Sequence, residues 1–549
     1  MTSLPDFRNL AGRNPGAFAP VLLLAAFVYL LIVTAWLCDD AYIVFRTADN
    51  FVNGHGLRWN VADRVQTFTD PLWMFLVSFF YFFTREAYFT SLSISIVVSI
   101  AAAAILAFTS TRKAYARALL LMALLSSRAF VDYSTSGLEN PLTHLFLALF
   151  FPIFLRGGND RGDFFLLSLT AALATLNRMD TAILFAPALA TAVGKLESKR
   201  AGIKLLFAGF LPFVAWECFS LWYYGSLFPN TASAKLNTGI RAADLIGQGL
   251  QYMKNSLLQD PVTLAATGTT LALGAARRDG RKWAACVGVL LYLLYVVRIG
   301  GDFMSGRFLA APFVVSLAVA GNIMETADFP GRYRHLVPVA LLALGGVLCP
   351  RPPILSGPDY GLDRTGLIDR HGIADERGSY YQYTGLLNSL QGIEVPGVSF
   401  FDRPRPNIPW VVEGLQARDF VNRHGGGIFL KHSVGFFGFH AGPRAHIVDR
   451  YALADPFLAR MPMEPGPWRI GHFERIVPEG YPETISSGAN VIYNRRLAAF
   501  YDKVAIITKG DLADIERLKI IVKMNLRRYD HLLDGGSPGG LPDQGRVRP

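Results

Sequence analysis

The chain has 549 residues, 52% of them hydrophobic and only 17% charged. A soluble protein carries about a quarter charged residues, so this composition excludes an ordinary soluble enzyme and suits a large membrane core with one soluble domain. The 53 Lys and Arg against 42 Asp and Glu give a net charge of +11, which fits loops lying on an anionic bilayer surface. No basic stripe interleaves aromatics, so nucleic acid is not an expected partner. In chain order, residues 17–37 read as a retained first helix and not a cleaved signal peptide. Trp36 and Leu37 precede Cys38 where a lipoprotein signal wants small residues, and Asp39-Asp40 follows with no Ala-x-Ala site. Pro71 to Phe83 is too short to span comfortably and reads as a juxtamembrane or half-inserted helix.

Apolar runs follow at 90–110, 118–133, 141–155, 164–177, 181–194, 205–224, 261–276, 283–299, 308–324 and 336–349. With the first helix they predict about eleven transmembrane helices. Alternation then places Arg112, Lys113 and Arg117, Arg156 and Arg161, Lys195 to Lys204, and Arg277 to Lys282 on the cytoplasmic side. The stretch 240–258 is amphipathic and is expected on the outer interface. Everything after Arg351 is expected outside. There, Gly427 to Lys431 and Ala445 to Tyr451 read as strands, and Gln416 to Arg423 and Ile515 to Arg527 as helices. Residues 356–410 read as a long ordered loop and 534–549 as a disordered tail. The expected organisation is a polytopic α-helical membrane domain over 1–350 and a C-terminal mixed α/β extracytoplasmic domain over 351–533. The four cysteines form no C-x-x-C spacing, so neither a disulfide framework nor a zinc site is indicated.

This topology gathers five polar clusters at one membrane face: Asp39-Asp40, Glu139, Arg178 with Asp180, Asn230 with Lys235, and Asp302 with Arg307. Ionisable groups at helix ends are often mere interface anchors, but five on one side favour a shared polar cavity. Adjacent carboxylates on a helix point about 100° apart, so Asp39 and Asp40 can divide two jobs. One would act as general base on an acceptor hydroxyl, the other hold a divalent cation (Mg²⁺ or Ca²⁺) or orient a partner. A helix stopped by two charges explains the pair equally well. Arg46 could pair with either carboxylate or bind a phosphate, and His55, between Gly54 and Gly56, could reach a phosphate or sugar. His472 and Asp449 are acceptor-binding candidates, with a packed interior as the plainer reading. No Walker loop, dinucleotide fingerprint, His-Glu-x-x-His or Gly-x-Ser-x-Gly occurs. An ATP-driven pump, a dehydrogenase, a zincin and a serine hydrolase are thereby disfavoured, and a donor arriving through the bilayer is favoured.

Asp39-Asp40-Ala-Tyr-Ile-x-x-Arg46, Asn53-Gly54-His55-Gly56, Ser136-Gly137-Leu138-Glu139, Pro229-Asn230-Thr231 and Gly301-Asp302-Phe303-Met304-x-Gly306-Arg307 carry a resemblance. So do Asp449 to Arg460 and Trp468-Arg469-Ile470-Gly471-His472-Phe473. The chain resembles the GT-C-fold, polyprenyl-phosphate-sugar-dependent glycosyltransferases, nearest the mycobacterial terminal β-1,2-arabinofuranosyltransferases. The resemblance implies a multi-pass enzyme of the bacterial cytoplasmic membrane, working at its outer face. Its donor would be decaprenyl-phospho-arabinofuranose or a relative, and its acceptor a glycan or protein already outside. On that reading Asp39 and Asp40 are the catalytic residues and the tentative metal ligands. Arg46, His55, Arg178, Lys235 and Arg307 would serve the donor phosphate. Glu139, Asp180, Asn230, Asp302 and His472 would bind substrate. Thr67-Phe68-Thr69-Asp70-Pro71 departs from the expected Gly-Tyr-Thr-Asn type of run beside the cavity, which leaves open another sugar such as mannose. A flippase for polyprenyl-linked sugars would need the same lipid groove, but not the adjacent carboxylates.

Overall fold

The computed structural model describes residues 15–157, 160–326, 336–390 and 408–533. The tail 534–549 therefore lies outside the described residues. Each of the eleven apolar runs folds as helix: Pro15–Thr34, Tyr88–Ser110, Ala114–Ser126 with its continuation Arg128–Asp132, Asn140–Arg156, Arg161–Asn177, Ala182–Lys195, Lys199–Tyr223, Pro261–Ala276, Gly280–Arg298, Ala310–Thr326 and Leu336–Leu348. Among the described residues four helices are long and apolar enough to cross a membrane, five if the bent pair Phe18–Thr34 and Asp39–Val52 is one span. That is fewer than the eleven crossings argued from the charged loops, because a helix of 13 residues such as Ala114–Ser126 is only ~20 Å long. The protein is a multi-pass helical membrane protein.

The two ends of the bundle differ in chemistry. At one end the basic loops meet. Glu325 accepts from the Thr111 hydroxyl and the Arg112 N–H, both at 2.7 Å, and Arg156 donates to the Thr109 carbonyl at 2.8 Å. At the other end the first helix breaks. Residues 35–38 are buried and non-helical, and the chain restarts at 84° as Asp39–Val52. The Cys38 N–H is held by the Ser136 carbonyl at 3.1 Å and the Leu37 carbonyl by the Thr384 hydroxyl at 2.7 Å. Beside the break, Pro71–Thr84 is a separate 14-residue helix that buries Trp73, Met74 and Val77 and exposes Phe79, Phe80, Phe82 and Phe83. Ala242–Gln259 buries Gly249, Tyr252 and Ser256, one face at helical spacing.

The C-terminal part covers this end. Gly427–Lys431 and Ala445–Asp449 form a two-stranded parallel sheet in register from Gly427↔Ala445 to Lys431↔Asp449, with the helix Gly435–Ala441 in the crossover. Pro409–His424 packs on that helix. It starts seven residues before the predicted 416 because Pro409 sits in its first turn, where a missing N–H costs nothing. The expected long loop 356–410 instead carries the helices Glu376–Thr384 and Leu386–Leu390, with 391–407 outside the described residues. Arg495–Lys509, absent from the sequence reading, is a further helix whose Asn494 cap accepts from the N–H groups of Arg496 and Leu497.

The C-terminal part shares its interior with the membrane part. Tyr381, Phe436, Ile470 and Phe473 belong to the same buried cluster as Trp36, Leu37 and Phe45. Buried arginines tie the two by donating to backbone carbonyls: Arg517 to Trp222 and Tyr223 at 2.8 and 2.9 Å, and Arg475 to Ala234 at 2.8 Å. A guanidinium offers five donors in a plane, so one side chain can satisfy several carbonyls that water no longer reaches.

Candidate active site

The break in the first helix sets two carboxylates in the first turn of Asp39–Val52, where the helix dipole favours negative charge. They take different work. Asp39 is 7% exposed and accepts from the backbone N–H groups of Gly435 and Phe436, at 3.1 and 2.7 Å. It thus caps the start of Gly435–Ala441. Gly435 has to be glycine, because a Cβ there would run into the Asp39 backbone carbonyl. Asp40 is half-buried, lines a cavity of about 360 Å³ and has no hydrogen bond or ion pair among the described residues.

Lys235, Phe303, Glu376, Tyr380, Arg469 and His472 line the same cavity. Lys235 and Arg469 sit over the Phe303 ring at 6.0 and 5.5 Å from its centroid, and Arg469 is aimed by a 2.7 Å hydrogen bond to the Gly372 carbonyl. His472 stands edge-on to the same ring at 4.5 Å, and burial with Arg469 beside it pushes its imidazole down to about 4. It is therefore neutral near pH 7. Glu376 opens the helix Glu376–Thr384, and burial, then the nearby Asp40, pushes its carboxyl well above the usual range.

Beside the cavity lies an ion network. Glu139 accepts from Arg178 at 2.7 Å and from Arg307 at 3.1 and 3.2 Å. Arg178 grips Asp180 with two bonds of 2.7 and 2.9 Å, and Arg307 is 3.7 Å from Asp302. Gly137 lets this loop press on the break and on the helix Asp39–Val52. Its φ of +82° is left-handed, and a Cβ would meet Leu37 and Ala41 at 2.7 and 2.8 Å. Two cations here already face three carboxylates, which leaves the network no excess positive charge to offer a phosphate.

The cavity thus gathers Asp39, Asp40, Lys235 and His472 of the sequence-predicted residues, while Glu139, Arg178, Asp180, Asp302 and Arg307 form the network beside it. Three others are elsewhere. Arg46 is buried and donates to the carbonyls of Trp59 (2.8 Å), Ala445 (2.7 Å) and Gly438, stacked on Trp59 at 4.5 Å. It fastens the C-terminal part and does not reach the cavity as a phosphate ligand. His55 is exposed on a turn outside the cavity. The Asn230 amide donates to the carbonyls of Ala452, Leu453 and Asp455, at 2.9 to 3.2 Å, which is a structural clasp and not a substrate contact. Asp449 is fully buried and accepts from the Tyr451 and Ala454 N–H groups, both at 2.9 Å, in keeping with a packed interior. Sequence reasoning missed Glu376 and gave Arg469 no role. The adjacent acids Asp375-Glu376, with Asp375 as a helix cap, were the available signal.

A divalent cation on Asp39 and Asp40 does not fit this donor set. The Asp39 carboxylate is occupied by two N–H groups, and among the described residues no three His, Cys, Asp or Glu side chains converge.

No protein-family model matches the chain. It is 28% identical over 525 residues to a terminal β-(1→2)-arabinofuranosyltransferase of Mycobacterium tuberculosis, covering 81% of each chain. It is 23% identical over 513 residues to an enzyme of the same name from Corynebacterium glutamicum, covering 80% of this chain and 72% of that one. The protein is a membrane glycosyltransferase resembling these enzymes. Among solved structures, ArnT from Cupriavidus metallidurans bound to undecaprenyl phosphate matches at 11% identity and TM-score 0.44, over 79% of this chain and 75% of that one. The Archaeoglobus fulgidus oligosaccharyltransferase AglB, in complex with an inhibitory peptide and a dolichol-phosphate, matches at 12% identity and TM-score 0.47, over 90% and 71%.

Proposed function

We propose that this glycosyltransferase has the GT-C fold and moves an arabinofuranosyl group from a polyprenyl-phosphate donor to a glycan or protein acceptor at the outer face of a bacterial cytoplasmic membrane. The names of its relatives support the sugar, and the basic loops at the far end of the bundle support the orientation. The observation that carries the reading is Asp40, an unclaimed carboxylate in a cavity that also holds two cations over one aromatic ring. Residues 1–350 would bring in the lipid and supply Asp40 and Lys235, and residues 351–533 would supply Arg469 and His472 and receive the acceptor.

The chemistry divides among these groups. Asp40 takes the proton of the acceptor hydroxyl as it attacks the sugar. Lys235 and Arg469 oppose the charge that gathers on the departing phosphate, in a site partly shielded from water. Neutral His472 can hydrogen-bond sugar hydroxyls. Asp39 fixes the helix Gly435–Ala441 and, through it, the neighbouring backbone of Asp40.

Transfer by the purified protein in detergent tests this, using radiolabelled decaprenyl-phospho-arabinofuranose and an arabinan oligosaccharide, with and without EDTA. Labelled product that is lost with Asp40→Asn and kept in EDTA is expected. Product only with another polyprenyl-phospho-sugar would overturn the arabinose assignment, and no product with any donor would overturn the transferase mechanism.

A further inference from the structure

Besides Asp39 and Asp40, Glu376 is, among the described residues, the carboxyl group lining the cavity. It comes from a different part of the chain and is 7% exposed. Among the described residues it has neither ion pair nor hydrogen bond. A buried ionisable group left without a partner is costly, and here the cost is borne at the wall of the one cavity that holds Asp40.

Its two neighbours fix its direction. Asp375 lies 2.5 Å from Arg128 and 3.2 Å from Arg351, and caps the helix through the Gly378 N–H at 2.9 Å. Arg377 lies 2.7 Å from Asp132, an ion-pair contact without hydrogen-bond alignment, and stacks on Tyr360 at 3.6 Å. Arg128 and Asp132 are themselves paired at 3.0 Å in the membrane part. Successive side chains in a helical turn fan out by about 100°. With 375 and 377 both bound to Arg128–Asp132, the side chain between them is turned into the cavity.

Resting on the transferase reading, we propose that Glu376 is a second catalytic carboxyl group, which gives a proton to the departing lipid phosphate while Asp40 receives one from the acceptor. The bond between the anomeric carbon and the phosphate oxygen breaks, and its electron pair stays on the phosphate, which takes the Glu376 proton. The acceptor oxygen bonds to the anomeric carbon and releases its own proton to Asp40. Solvent returns the proton from Asp40 to Glu376 before the next turnover, so protons and charge balance. The setting of Glu376 suits a proton donor: burial, then the carboxyl groups of Asp40, Asp302 and Asp375, favour its protonated form, with Arg469 the cation opposing them. Acids outnumber the base, so the proton is held until the phosphate charge develops.

The test compares wild type, Glu376→Gln and Glu376→Asp in the transfer assay with saturating acceptor and varied donor. Glu376→Gln keeps the shape and hydrogen-bonding capacity but has no proton to release. It is expected to lower kcat about 100-fold with donor KM unchanged, and Glu376→Asp to fall between it and wild type. A folded Glu376→Gln protein with wild-type kcat, or one changed only in donor KM, would overturn the proposal. If Glu376→Gln does not elute as folded protein, wild-type kcat in Glu376→Asp would overturn it and a lowered kcat would support it. Wild type inactive with every polyprenyl-phospho-sugar would overturn the transferase reading and this inference together, whereas an active wild type with an indifferent Glu376→Gln removes Glu376 alone.

Discussion

Replacing Asp39 and Asp40 separately by Asn divides a structural carboxylate from a chemical one. Asp39 accepts two backbone N–H groups at 3.1 and 2.7 Å. Asn has one oxygen to offer, and its NH₂ would face the other N–H, donor against donor. One charge-assisted bond becomes a neutral one and the other is lost, each at about 1–3 kcal/mol, less the relief from no longer burying a charge, which leaves about 2 kcal/mol. The apparent unfolding midpoint in detergent should fall by a few degrees, and transfer should fall with it because Gly435–Ala441 loosens over the cavity. Asp40 makes no such bonds, so Asp40→Asn should stay within about 0.5 kcal/mol of wild type while kcat drops about 10²–10⁴-fold. Thermal unfolding followed by tryptophan fluorescence, run beside the transfer assay, reads both. An Asp39→Asn protein with a wild-type midpoint and no transfer would mean that Asp39 acts on substrate. A destabilised Asp40→Asn protein would refute the division of roles.

Arg46→Lys leaves one ammonium for three buried carbonyls, each costing roughly 1–3 kcal/mol when unpaired; the expected result is a lost yield of folded protein, and a wild-type midpoint with raised donor KM would instead restore a phosphate role. Lys235→Ala should raise donor KM about tenfold, roughly 1.4 kcal/mol, at an unchanged midpoint, as read from donor saturation curves. Gly435→Ala should lower both midpoint and transfer, since its Cβ has no room against Asp39, while Gly268→Ala, with open space around it, should change neither downward. Burial pushes Asp449 up to about 7, above the ~4 of an unfolded chain. Between those values the folded protein keeps a proton that the unfolded chain has released, so stability declines as pH rises through that window. The wild-type midpoint should fall more steeply from about pH 4 to about pH 7 than that of Asp449→Asn, and equal slopes would refute the assignment.

Apolar periodicity and charged loops determined the helical membrane part. Every apolar run is a helix, because a run of that composition has no other way to satisfy its backbone in lipid. The short strands 427–431 and 445–449 were readable for a similar reason, as β-branched and aromatic runs bounded by glycine. The paired acids Asp39-Asp40 stood out by charge alone in an apolar setting. Their division of labour was decided by tertiary structure. The N–H groups that occupy Asp39 are 396 and 397 residues further along, and nothing local tells which of two neighbouring carboxylates will meet them. Arg46 looked free in its motif and became buried because carbonyls of residues 438 and 445 close over it. Glu376 looked like part of a loop and came to face Asp40 because Asp375 and Arg377 find Arg128 and Asp132 across more than 240 residues of chain. Local pattern sets which segments are helices and which groups are charged, whereas the partner that neutralises each charge is a long-range packing outcome, and that partner decides whether a charged side chain holds the fold or is left to act.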